Sequence, residues 1–253
     1  MSGSHRLDEH ADKHSPIHHW DARFKLVGLL VLIFAFATVD SIWLLGPMLI
    51  VTLLAYQASN LPWSFLRHRL EFPGFFILFL VVFLPFVVGE TLVVSFGPFD
   101  IWQEGLEQAA VVLLRFFCIL TLAIVLFGTD SFINTVKAMR ALRFPSILAD
   151  MVLLTYRYLF EISTYFQTMQ TSARMRGYRT EFSLASLTTL TSLLGHMIVR
   201  SYEQSERVYK AMVLRGYGGE IRQTAYHSTR NDYLKLFAAV AVAASFWIAQ
   251  YLL

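Results

Sequence analysis

The stretch Leu106–Phe127 leaves the chain little choice, because it is an apolar run as long as a lipid bilayer is thick. A helix needs roughly 20 apolar residues to cross the hydrocarbon core. Inside lipid every backbone N–H and C=O must be paired within the protein, so a run of this length is read as a spanning helix. The chain repeats the pattern. Leu26–Val39 and Ile42–Tyr56 are apolar segments split by Asp40-Ser41, which predicts a tight helical hairpin of short arms. Phe75–Val94 is a further span, with Pro85 removing one backbone donor and kinking it. Leu236–Leu253 is the last. With 56% apolar and only 15% charged residues, no soluble domain is left over. The expected fold is an all-α membrane protein with five spans. The single cysteine, Cys118, excludes a disulfide within one chain and a thiolate metal cluster.

The sequence divides by character. Residues 1–23 mix His, Asp, Glu and Lys without an apolar centre and read as a soluble tail, not a cleaved signal. Residues 24–127 carry four spans, 128–235 bring charges back every few positions, and 236–253 form the final span. Lys and Arg concentrate at Arg23 and Lys25, at Arg67 and Arg69 in the Ala58–Glu71 connection, and fourteen-fold in Gly128–Lys235. The opposite connections, at Asp40 and Ser95–Gly105, have none. Positive charge stays inside, so the N-terminus and the 128–235 region of a multi-pass membrane protein are expected in the cytoplasm. The formal +3 is an orientation signal and gives no reason to invoke nucleic acid.

Within 128–235 the apolar residues fall at helical spacing and predict two long amphipathic helices. The first runs from Ser146 to Arg176, with Val152, Tyr156, Leu159, Ser163, Phe166 and Met169 on one stripe. The second runs from Ser183, a candidate N-cap, to Arg215, with Leu187, Leu190, Leu194, Ile198, Tyr202 and Met212 on its stripe. Both stop at the same tripeptide, Arg-Gly-Tyr, with Gly177 and Gly216 as left-handed caps. One arginine before a cap glycine is accounted for by the helix dipole, at about 0.3–1 kcal/mol. Two such tips, aimed away from lipid with a bidentate fork, suit carboxylates on a partner protein.

These segments carry a resemblance. MVLLTYRYLFEI (Met151–Ile162) followed by ARMRG (Ala173–Gly177), and VRSYEQSERVYKAMVLRGYGG (Val199–Gly219), resemble the transmembrane coupling subunit of energy-coupling factor transporters, the EcfT family. HSPIHHWDARFKL (His14–Leu26) resembles the start of its cobalt-type branch, CbiQ. The likeness covers about Pro16 to Gly219; it departs at Ala22, where the branch usually has proline, and at Met175, where a small residue is commoner. The resemblance implies a complex in the (inner) cell membrane of a bacterium or archaeon, with two cytoplasmic P-loop ATPases, a substrate-binding membrane subunit and, in cobalt and nickel systems, a small accessory membrane protein. It implies ATPase-coupling roles for Arg176, Gly177, Arg215 and Gly216, with Ala173 and Ala211 beside them. ATP and Mg would be bound by the partners, and no cofactor is expected in this chain. The implied substrate is a divalent transition metal, cobalt first, with nickel or a vitamin as the alternatives, since specificity lies in another subunit.

The residues themselves point the same way. No G-x-x-x-x-G-K-[ST], paired catalytic carboxylates or nucleophile–base arrangement is present, so no enzyme activity is expected. A stand-alone secondary transporter would need midplane ionisable residues and a repeat with broken helices. A deep charge pair is expected between Arg115 and Glu90, in a structural role. The histidines before Trp20 (His5, His10, His14, His18, His19) are read as part of an ordinary start and not as a metal site.

Overall fold

A computed structural model describes residues 17, 20–87, 92–96, 99–178, 183–217 and 229–252. The chain forms two units: His5–Phe144 with His227–Leu253, and Pro145–Tyr226 with Met1–Ser4.

The larger unit is built from α1 (Ala22–Ala37), α2 (Leu45–Ser59), α3 (Trp63–Val87), α4 (Gln103–Gly128), α5 (Phe132–Ala141) and α8 (Arg230–Leu252). Asp21 starts α1 by accepting the amide of Arg23, an N-cap that also holds the Arg23 guanidinium at 2.7 Å. Along α1 the small residue Gly28 lets α8 come close: a methyl group there would meet Trp20 at 3.2 Å and Ala239 at 3.4 Å. Phe36 of α1 closes the same seam edge-on to Phe246 of α8 at 5.1 Å. On its other side α1 packs with α2 and α4 around Phe36, Met48, Leu122 and Val125, all fully buried. Outside that core α3 presents Phe72, Phe75, Phe76 and Phe79 outward, an apolar surface that only lipid or a membrane partner can cover.

Among the described residues four helices are long and apolar enough to cross a membrane: Ile42–Ser59, Trp63–Pro85, Glu104–Gly128 and Arg230–Leu252. Helix α1, expected as a fifth span, has 16 residues and rises about 24 Å, short of the roughly 30 Å hydrocarbon core.

Several boundaries depart from expectation. Asn60, left-handed at φ 52°, ends α2, and Pro62 launches α3 at Trp63, so Arg67 and Arg69 lie on the first turns of a helix and not in a connection. Helix α3 ends at Val87, and the expected tail of that span is a strand: β1 (Leu92–Phe96) pairs antiparallel with β2 (Phe99–Trp102). The β-branched run in Leu-Val-Val-Ser-Phe suits that hairpin. Helix α8 begins at Arg230, earlier than the apolar run, because Asp232 is buried there: its carboxylate accepts the amides of Thr229 (2.9 Å) and Asp21 (3.4 Å). Helix α5, capped by Ser131 on Asn134, was not anticipated and belongs to this unit.

Two charges are handled inside this unit. Arg115 of α4, 22% exposed, donates to Asp40 in the α1–α2 turn at 2.5 Å and to the Ala37 carbonyl at 3.4 Å. Gln250 of α8 holds the same turn by accepting the Asp40 amide at 3.0 Å. The expected partner, Glu90, lies outside the described residues. At the opposite end, Lys25 is fully buried and its ammonium reaches Asp130 at 2.6 Å, Thr129 at 3.2 Å and the Ile17 carbonyl at 3.4 Å.

The second unit is an antiparallel helix pair, α6 (Ser146–Met175) and α7 (Leu184–Leu214). Both match the predicted helices to within a residue at each end.

Candidate functional site

The two repeated tripeptides end these helices in the same way, atom for atom. After α6, the Gly177 amide donates to the Arg174 carbonyl at 3.0 Å and the Tyr178 amide to Ala173 at 3.0 Å. After α7, Gly216 donates to Val213 at 2.9 Å and Tyr217 to Met212 at 3.0 Å. This pair of bonds is the Schellman cap, which needs a left-handed residue after the last helical one. Gly177 and Gly216 supply it at φ 90° and 82°. Arg-Gly-Tyr is therefore the C-cap residue, the reversal and the residue beyond it. The register also refines one expectation: the residue equivalent to Ala173 is Met212, not Ala211, which lies one position earlier.

Nothing lies within 4 Å of a methyl group built on either glycine. An alanine at 177 or 216 thus meets no obstacle except its own backbone, a penalty of about 1–2 kcal/mol in the left-handed region. Gly177→Ala and Gly216→Ala are expected to fray the last turn of their helices only. Amide exchange there should quicken about tenfold, while Gly46→Ala, at an uncrowded helical position with ordinary backbone, leaves exchange unchanged or slower.

The caps turn both arginines outward. Arg176 and Arg215 are exposed, and among the described residues neither guanidinium is engaged in a hydrogen bond or ion pair. The helix pair spaces them. Arg200 of α7 stacks on the Tyr165 ring of α6 at 3.8 Å, and Gln204 donates to Glu161 at 3.4 Å, so the two helices touch near their middles. At one end Ser186 donates to the Tyr178 hydroxyl at 3.1 Å; at the other Tyr217 donates to Asp150 at 3.3 Å. Between these contacts lie two cavities. One, of about 840 Å³, has a mixed lining that includes Arg176, Ser186, His196, Met169 and Leu193. The other, of about 640 Å³, is bordered by Leu154, Val208 and Met212. Antiparallel packing puts the arginine tips at opposite ends of the pair, separated by the 26 residues from Asp150 to Arg176, or about 40 Å.

The predicted stripes are only partly inside this pair. Leu190 and Met212 of α7 are half-buried, but Leu187, Leu194, Ile198 and Tyr202 are exposed, Ile198 by 71%. On α6, Tyr156, Phe166 and Met169 are half-buried, whereas Val152, Leu159 and Ser163 are exposed. The side of α7 turned to α6 mixes small and polar groups, among them Ser186, Ser201 and Gln204, with the apolar Leu193, Met197 and Val208. An apolar stripe with no cover in its own unit calls for lipid or another chain.

Among the described residues no group of three or more His, Cys, Asp or Glu side chains could hold a metal ion, and the histidines before Trp20 lie outside them. A family model described as CbiQ, cobalt transport protein, matches residues 13–226, which include both capped helices. The chain belongs to the CbiQ family of cobalt transport proteins. Its relatives carry related names. The energy-coupling factor transporter transmembrane protein EcfT of Bacillus selenitireducens is 27% identical over 84% of this chain and 83% of its own length. The EcfT of Limosilactobacillus fermentum is 24% identical over 94% and 95%. An uncharacterised protein of Methanocaldococcus jannaschii is 26% identical over 69% of this chain, which spans 65% of that relative's length. Membership of the CbiQ family and the four apolar helices make this a multi-pass membrane protein.

Proposed function

We propose that this chain is the transmembrane coupling subunit of an energy-coupling factor importer for a divalent transition metal, cobalt first. In this reading Arg176 and Arg215 each dock on one of two cytoplasmic P-loop ATPases, which bind ATP and Mg and perform the hydrolysis. Helices α6 and α7 pass the ATPases' relative motion to a substrate-binding membrane subunit, with a small accessory membrane protein completing the complex. The N-terminus and both tips face the cytoplasm. The chain does no chemistry of its own.

One observation carries the reading: two exposed arginines on identical rigid caps, about 40 Å apart at opposite ends of one helix pair. A single binding partner has little use for two equal tips at such a distance; two copies of a similar partner, one per tip, use both. The outward apolar side chains of α7, Leu194 and Ile198 among them, suit a membrane partner better than water. Cobalt is favoured over nickel or a vitamin by the family description alone.

The test is purification of the tagged chain in mild detergent, identification of co-eluting chains, and metal uptake by the reconstituted complex. Two ATPase chains with cobalt uptake dependent on ATP are expected. Metal movement by this chain alone in liposomes would overturn the reading in favour of a stand-alone transporter.

A further inference from the structure

The tyrosine of each Arg-Gly-Tyr end does more than the cap requires. A Schellman cap asks only for an apolar body at the residue beyond the glycine, and phenylalanine or leucine would serve. Here both residues are tyrosine, and each hydroxyl finds a partner near the start of the opposite helix: Tyr178 with Ser186, Tyr217 with Asp150. The two contacts are not equivalent. Tyr178 and Ser186 are 8 residues apart and flank the α6–α7 connection, so the chain itself already closes that end. Tyr217 and Asp150 are 67 residues apart, at the end of the pair that no α6–α7 connection closes.

We propose that the Tyr217–Asp150 hydrogen bond is a latch that fixes where the Arg215 tip stands against α6, with Tyr217 and Asp150 as positioning residues for docking at Arg215. The use of the tips for docking rests on the function proposed above; the latch itself is a property of the helix pair. The pair is pinned near its middle by Arg200 on Tyr165. From there to Arg215 is 15 residues, a lever of about 22 Å, so a splay of about 10° carries the tip by about 4 Å. That exceeds the tolerance of a bidentate guanidinium–carboxylate contact, whose bonds are about 2.7–2.9 Å long. A hydroxyl bonded to a carboxylate at the open end resists that splay, and it is weak enough to release when that tip is driven away from α6.

The test uses the full chain in lipid nanodiscs, with spin labels at Ile147→Cys and Leu214→Cys in a Cys118→Ser background. Residues 147 and 214 lie on opposite helices at the open end and are 66% and 88% exposed, so a splay adds directly to the distance between them. The parent gives one narrow distance distribution. Tyr217→Phe, which keeps the ring and removes the hydroxyl, should shift or broaden it by about 4 Å. Asp150→Leu should do the same, Asp150→Asn, which still accepts the bond, should stay narrow, and Tyr217→Phe with Asp150→Leu should be no broader than either alone. In the purified complex, Tyr217→Phe should lower co-purified ATPase and metal uptake together, several-fold, while Asp150→Asn changes neither. A distribution unmoved by Tyr217→Phe, or effects of the two substitutions that simply add, would overturn the latch. If the parent chain carried no ATPase, the docking function would fall while the distance result still judged the latch.

Discussion

Arg176→Glu combined with Arg215→Glu is expected to strip the ATPases from the purified complex while the chain still inserts and folds. The expectation follows from where the two residues lie. Each is the C-cap residue of its helix, its amide bonded back to the carbonyl of Ala173 or Met212 at 3.0 Å, so the backbone is held whatever side chain it carries. Each guanidinium is exposed and, among the described residues, unengaged. Reversal therefore removes no bond within the fold; it costs only the favourable meeting of a cation with a helix C-terminus, about 0.3–1 kcal/mol per site. At an interface the balance is different. Truncating one partner of a desolvated, hydrogen-bonded charge pair costs about 2–5 kcal/mol, and reversal adds repulsion. Two tips lost together lower affinity by about three orders of magnitude or more. Single reversals should leave partial complexes. Arg176→Lys and Arg215→Lys should weaken binding too, because an ammonium cannot match both oxygens of a carboxylate at once. The measurements are co-purification, ATP-dependent uptake, and a melting curve to verify folding. Full-strength co-purification and uptake by the double reversal would remove the tips from the mechanism.

What could be read in the sequence was what local chemistry dictates. Glycine followed by tyrosine after a long helical period marks α6 and α7 to the residue, because a left-handed reversal is the same local event wherever it occurs, and Ser183 marks the start of α7 by the same logic. Depth and pairing were not local. Arg115 was matched to Glu90 by position along two spans, yet its partner in the structure is Asp40. Helix α1 is short, so its turn arrives 15 residues above Lys25, level with Arg115, which is 14 residues from Thr129. The stripe on α7 was read as the apolar side of an amphipathic helix because its spacing is helical. Spacing tells which residues share a face, not whether the same chain covers it, and Leu187, Leu194 and Ile198 are left exposed. The start of the hairpin, Leu92–Val94, was absorbed into a span and its remainder read as a connection, because a short apolar run fits helix and strand alike.

The buried Lys25 could not be found from the sequence either, since Asp130 is 105 positions away, and it is expected to dominate the stability of the larger unit. Its ammonium has three donors and three acceptors, on Asp130, Thr129 and Ile17, so it is satisfied without water. It lies one residue before the apolar segment at Leu26. Burial nevertheless outweighs Asp130 and holds Lys25 below its ordinary value of 10.5. Asp130→Asn removes the charge that opposes burial, leaving an uncompensated cation, a change that typically costs about 3–5 kcal/mol. An independent ceiling agrees: Lys25 can always escape by losing its proton, which from 10.5 to pH 7 costs about 5 kcal/mol. For a chain of this size that is on the order of 10 °C in apparent melting temperature. The sign of the pH dependence follows from the same lowering. The folded chain holds this proton less tightly than the unfolded one, so stability rises with pH between the lowered value and 10.5, and removing Asp130 extends that window toward neutrality. The deficit of Asp130→Asn against the parent should therefore shrink between pH 7 and pH 9, by about 1.4 kcal/mol per unit where the variant's Lys25 is neutral and the parent's still charged. Lys25→Met with Asp130→Leu should recover most of the loss, because a matched apolar pair carries neither charge into the interior. A single Asp130→Asn that melts with the parent at pH 7 would show that water, not Asp130, neutralises Lys25.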